Sequence, residues 1–105
     1  MVTRSPSNEL AIEELNIKKA ALVFRAVNNR LRQKVLHLLH RNTRITVTSI
    51  YTKLKIEQSV ASQHLAILRK HNIVKAQREG RTIYYSINYE RLKEIEDVST
   101  QLLKE

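Results

Sequence analysis

The chain has 105 residues, a length that fits one domain with a single core and leaves no room for a large catalytic cleft between domains. It contains no cysteine, which excludes disulfides, zinc–thiolate sites and thiol redox chemistry. Lys and Arg number 19 against 10 Asp and Glu, a formal net of +9, and this excess is concentrated: residues 18–81 hold 15 basic and two acidic residues, while residues 1–17 and 82–105 each carry −2. A basic middle between acidic ends predicts a polyanion-binding surface confined to one stretch, although a basic, solvated surface has the same composition. No run of about 18 apolar residues is present, so no membrane contact is expected. Residues 1–8 are too short and polar for a secretory signal, which points to a cytoplasmic protein.

Residues 1–8, with Ser5-Pro6-Ser7-Asn8, read as a flexible start. From residue 9 to 27, apolar residues recur at Ile17, Ala20 and Ala21, Phe24 and Val27, the spacing of a helix with one apolar face. Asn28-Asn29 end this helix and cap the next, which Leu31, Val35, Leu38 and Leu39 carry to about Asn42. Val47, Ile50 and Leu54 mark a short third helix, and Ala61, Leu65 and Leu68 a fourth from about 58 to 70. The pattern then changes. Residues 73–78 and 82–87 are rich in Val, Ile, Thr and Tyr, and the chain's one glycine, Gly80, sits between them with Glu79 as a hairpin turn. Leu92, Ile95, Val98 and Leu102 mark a closing helix whose exposed face is acidic.

The order is therefore α-α-α-α-β-β-α, a mainly α chain with a β-hairpin (α+β). Two short helices separated by a tight turn predict a helix-turn-helix over residues 46–71, and the basic hairpin at 73–87 makes it a winged helix-turn-helix. An α-helix fits the major groove of duplex DNA, and a hairpin reaches the neighbouring backbone or minor groove. Residues 9–105 are thus expected to form one winged helix domain.

The run Gln58-Ser59-Val60-Ala61-Ser62-Gln63-His64-Leu65, continuing through Ile73-Val74, resembles the recognition-helix signature of ArsR/SmtB-type bacterial repressors. The wing Arg78-Glu79-Gly80-Arg81, followed by Tyr84-Tyr85, resembles theirs as well. The resemblance spans residues 20–103 and implies a homodimeric DNA-binding repressor, with residues 9–27 and 89–103 as dimerisation helices and an imperfect palindrome as operator; the bland alternative is that Leu10, Leu15, Leu102 and Leu103 only close a monomeric core. Three positions depart from the family pattern. Lys55 stands where such proteins often have Gly in the turn, and a non-Gly residue in the left-handed region there costs on the order of 1 kcal/mol. Asn72 replaces another frequent Gly, a milder change. Glu57 replaces a Ser N-cap, which caps the helix less well, sets a negative charge near phosphates, and implies weaker DNA binding.

Gln58, Ser59, Ser62 and Gln63 share one helical face, opposite Ala61, Leu65 and Leu68. Gln pairs bidentately with adenine and Ser bonds several bases, so the resemblance makes these four the base readers, with a solvated polar face as the bland alternative. Arg78 and Arg81 flank the wing turn and are expected on phosphate or in the minor groove, or else as plain exposed arginines. Thr46 and Thr48 reach phosphates or serve as a helix N-cap. His64 bridges helices or contacts a phosphate. Arg69, with Lys53, Lys55 and Lys70, adds attraction to the backbone. Val60 either touches a thymine methyl or packs beneath the turn.

Many such relatives release DNA on binding metal, through paired cysteines on the third helix or Asp and His on the last. Here residues 47–51 carry no thiol, Asn88 stands at the expected Asp, and residues 89–105 contain no histidine. No metal and no cofactor are expected, although His37 and His40 are spaced for one helix face. Nor is any catalytic residue expected, since no nucleophile elbow, phosphate loop or spaced carboxylate pair occurs. The competing reading is a winged-helix interaction module that binds an acidic protein partner or RNA.

Overall fold

Five helices and a three-stranded antiparallel sheet follow one another in the expected sequence, with two short pairings that periodicity does not announce. The structure, a computed structural model, describes residues 3–4 and 10–104. Strands β1 (Thr3–Arg4) and β2 (Leu10–Ala11) pair with Thr3 opposite Ala11. The remainder of the expected flexible start lies outside the described residues.

Helix α1 spans Glu14–Val27, so the expectation of a helix from residue 9 is corrected at its N-terminal end. Leu10 and Ala11 bond to β1 instead, and Glu13 is extended (φ −82°, ψ 92°). Leu10 and Ile12 are exposed, so no core contact draws them into a helical stripe. Helix α2 (Arg30–Asn42) starts where Asn29 Oδ1 accepts from Arg32 N at 2.9 Å. Strand β3 (Ile45–Thr46) leads into α3 (Val47–Leu54), and α4 (Gln58–Lys70) follows.

Both α3 and α4 end in the same way. Lys55 (φ 56°) follows α3 with its N–H on Thr52 O, and Ile56 N–H reaches back to Tyr51 O at 3.1 Å. Asn72 (φ 61°) follows α4 with its N–H on Arg69 O at 3.0 Å, and Ile73 N–H on Leu68 O at 2.9 Å. These are Schellman motifs, each with a left-handed residue and then an isoleucine packed on the core. The turn between α3 and α4 is therefore set by Lys55 in the conformation that its position implied.

The wing is β4 (Val74–Glu79) and β5 (Thr82–Ile87), with β5 central between β4 and β3. Glu79 is the last strand residue, opposite Thr82, so the turn is Gly80-Arg81 rather than Glu79-Gly80. Gly80 alone there has positive φ (63°), as a II′ turn requires, and an added Cβ would meet nothing within 4 Å. Conformation, not space, reserves this position for glycine. Helix α5 (Tyr89–Leu103) is capped by Asn88, whose Oδ1 accepts from Arg91 N.

The core gathers Ala26 of α1, Val35, Leu38 and Leu39 of α2, Ile45, Ile50, the α4 stripe, Ile73, Val74 and Ile87. The outer helices add little to it. Only Ala26 of α1 and no residue of α5 is fully buried, and Leu15, Ile17, Leu22, Val98, Leu102 and Leu103 stay exposed. Among the described residues no helix is long and apolar enough to cross a membrane.

Replacing Lys55 by Gly removes the left-handed strain at some cost in unfolded-state entropy. Lys55→Gly is expected to raise stability by up to about 1 kcal/mol, read as a higher urea midpoint at unchanged slope, with Lys55→Ala giving no gain.

Candidate nucleic-acid interface

Helix α4 is buried along one side only. Ala61, Leu65 and Leu68 are within 1% of full burial, whereas Gln58, Ser59, Ser62 and Gln63 are exposed, so the four polar residues form one uncovered face. Val60 is half-buried. At the head of the helix Glu57 is exposed and makes no capping hydrogen bond, as its side-chain chemistry predicts.

Thr46 and Thr48 have different places. Thr46 is the N-cap of α3, its Oγ1 accepting from Ser49 N at 3.2 Å, while Thr48 lies exposed within the first turn. Arg69 is exposed and lines a depression with Ser62, Leu65, Ala66, Lys70 and Tyr85 of the wing. The alternation along β4 puts Arg78 on the face of Val74 and Ala76, the side of the sheet packed on the core, while Arg81 is exposed in the turn. Lys53, Lys55 and Lys70 are exposed as well. The structure thus assembles the polar face of α4, Thr48 and a set of cations on adjoining surface elements.

His64 is half-buried between helices, its Nδ1 3.2 Å from Arg32 Nη1. This is the helix-bridging alternative of the two open to it. Arg32 itself is buried and donates from Nε to Ala26 O at 2.6 Å and from Nη2 to Arg25 O at 3.2 Å, so one guanidinium ties the last turn of α1 to α2 and α4. Its importance was missed at sequence level. The signal was there, because Arg32, Val35 and Leu39 fall on one helical stripe and a charge on a core stripe demands partners.

A second cluster had no sequence signal. Arg44, just before β3, donates a two-pronged pair to Glu79 at 2.6 and 3.1 Å, and its guanidinium lies 4.1 Å from the centroid of the Tyr84 ring. The hydrogen bond from Arg44 holds the Glu79 carboxyl below its ordinary range, and Glu79 raises Arg44 in turn. His37 and His40 line a depression between α2 and α5 with Gln33, Leu36, Ile87, Tyr89 and Leu92; His40 Nδ1 lies 2.7 Å from Tyr89 Oη. Among the described residues no three or more His, Cys, Asp or Glu side chains come together as a metal-binding group.

A helix-turn-helix carried on a helical core and followed by an antiparallel wing defines a winged-helix protein. The family description "Bacterial regulatory protein, arsR family" matches residues 29–76. An uncharacterised HTH-type transcriptional regulator of Methanocaldococcus jannaschii is 42% identical over 74% of this chain and 88% of that protein. The transcriptional activator HlyU of Vibrio cholerae is 32% identical over 76% of this chain and 73% of its own. The crystal structure of the transcriptional repressor PagR of Bacillus anthracis superposes with a TM-score of 0.66 at 31% identity, covering 82% of this chain and 98% of that one. The chain belongs to the arsR family; it is a transcriptional regulator and not an enzyme.

Burial first, and then Arg32, lowers the pKa of His64 below its ordinary 6.5. Burial first, and then Lys70, Arg91 and Arg32, does the same to His71. The folded chain therefore binds fewer protons than the unfolded chain. This stabilisation is complete above about pH 6.5 and is lost as the pH falls through the lowered folded values. Thermal unfolding is expected at a lower temperature near pH 5 than near pH 7. His64→Asn keeps an acceptor in place of Nδ1 and should flatten part of that slope; an unchanged slope would contradict the role of His64.

Proposed function

We propose that this regulator binds double-stranded DNA in a sequence-specific manner, as a homodimer on an imperfect palindrome, and that it acts in the cytoplasm as a repressor by occupying a promoter. The observation that carries this reading is the exposed row Gln58, Ser59, Ser62 and Gln63 on a helix whose other side is locked into the core. On this reading Gln58 and Gln63 pair with adenine edges, while Ser59 and Ser62 bond whichever base faces them. Thr48, Arg69, Arg78 and Arg81 hold phosphates or the minor-groove edge, and the Thr46 and His64 side chains reach the backbone only with what their helix contacts leave free.

Two copies present two recognition helices, and the uncovered apolar residues of α1 and α5 supply the surface that joins them. Leu102 and Leu103 are 73% and 82% exposed, a costly state for leucines at the end of a long helix unless a partner covers them. Repression is favoured by the PagR likeness and by simple occlusion. Each protomer brings +9, so affinity should fall steeply with salt.

The test is binding to duplex from the gene's own upstream region, to random duplex and to single-stranded RNA, compared at physiological salt and then followed over a salt series. Gln63→Ala should reduce the preference for the specific duplex by about 1–3 kcal/mol. Arg78→Ala should weaken all duplexes alike and lower the salt slope by about one. Equal binding to all three nucleic acids would instead favour the interaction-module reading. For assembly, Leu102→Glu should shift the sedimentation of the free protein from dimer to monomer while leaving its helix content unchanged.

A further inference from the structure

We infer that the Arg44–Glu79 pair, seated on Tyr84, is a brace that sets the wing against the loop before α3, and that Glu79 is a positioning residue for DNA binding despite its negative charge. The inference rests on the proposal that the wing touches DNA.

The Arg44 end of the brace is held by the backbone. Thr43 has φ 65° and ψ −58°, and Arg44 N–H bonds Asn42 O at 2.6 Å, which together make a γ-turn of positive φ. That conformation is strained for a β-branched residue and persists only where both flanks over-determine it. On one flank Asn42 Nδ2 donates to Leu38 O at 2.8 Å, and Lys53 Nζ lies 3.4 Å from Asn42 Oδ1. On the other, Ile45 and Thr46 pair with Tyr85 and Tyr84. Arg44 therefore leaves a fixed point.

The far end is the wing tip. Glu79 is the last residue of β4, adjacent to Gly80-Arg81. Glu79 and Tyr84 share one face of the hairpin by alternation, and Arg78 lies on the other. The brace thus holds the outer face of the wing and leaves Arg78 and Arg81 uncovered. The β3 pairing holds the wing at Tyr84 and Tyr85 only, and beyond it two strands alone form a marginal ribbon whose tip can pivot. A two-pronged ion pair over an aromatic ring removes that pivot and fixes the separation between Thr48 at the head of α3 and the two wing arginines. An exposed pair of this kind adds little to global stability, so its effect is sought in wing order and in binding.

The sign of one substitution decides the matter. By charge alone, Glu79→Gln makes the DNA-facing region more positive and should tighten binding. The brace demands the reverse: weaker duplex binding, by roughly three- to tenfold for a dimer with two wings. Arg44→Ala should weaken binding similarly with an unchanged salt slope, whereas a phosphate contact by Arg44 would lower the slope by about one. The double exchange Arg44→Glu with Glu79→Arg should recover affinity relative to either single exchange. In the free protein, 15N relaxation should show residues 78–82 more mobile in Glu79→Gln than in the parent chain. Tighter binding by Glu79→Gln, or unchanged order at the wing tip, would overturn the brace. Greater mobility at the tip with no change in DNA affinity for Glu79→Gln and Arg78→Ala would overturn the DNA role of the wing instead.

Discussion

The arrangement of this protein depends on how α4 is held. Ala61, Leu65 and Leu68 form a stripe that meets Ile50 of α3, Val35 and Leu39 of α2 and Ile73 beyond its own end. Burial of such side chains contributes about 1.5–3 kcal/mol each for the larger ones, so rotating the helix about its axis is strongly opposed. A helix fixed in rotation also fixes what its other side presents. Gln58, Ser59, Ser62 and Gln63 face outward because the apolar stripe cannot.

Polar connections then tune that frame. The Schellman turns at Lys55 and Asn72 set the angles at which α4 is entered and left. Arg32 joins three helices through backbone carbonyls and His64, and no buried side-chain nitrogen or oxygen among the described residues is left without a partner. At the periphery, Arg44 and Glu79 connect the wing to the loop that precedes α3. The outer helices are different: their apolar residues are largely unused within one chain, which is why the homodimer is proposed on α1 and α5.

Much of this was legible in the residues. The bounds of α3, α4 and α5 follow from apolar spacing, and the hairpin follows from β-branched and aromatic runs around one glycine. The left-handed residue at position 55 was legible through the family resemblance, which puts Gly in that turn. The start of α1 was placed too early because nothing in residues 9–13 interrupts a helical pattern, although Leu10 and Ala11 pair with β1 and the core never reaches Leu10 or Ile12. Strand β3 escaped notice because two residues have no period. Arg32 could have been singled out as a charge on a core stripe, whereas Arg44 and Glu79 look like ordinary surface residues.

By itself, the sequence determined the order of the elements, the polar face of α4, the glycine of the wing turn and the confinement of positive charge to the middle of the chain. All of these are local, carried by side-chain periodicity, turn chemistry and simple counting over a few neighbouring residues. Only the tertiary structure decided that His64 meets Arg32, that Arg44 crosses to Glu79, that Thr46 rather than Thr48 caps α3, and that Ile45 and Thr46 join the wing sheet. The Arg32–His64 and Arg44–Glu79 contacts join residues 32 and 35 positions apart, and such contacts arise only when the core has already set the register between elements.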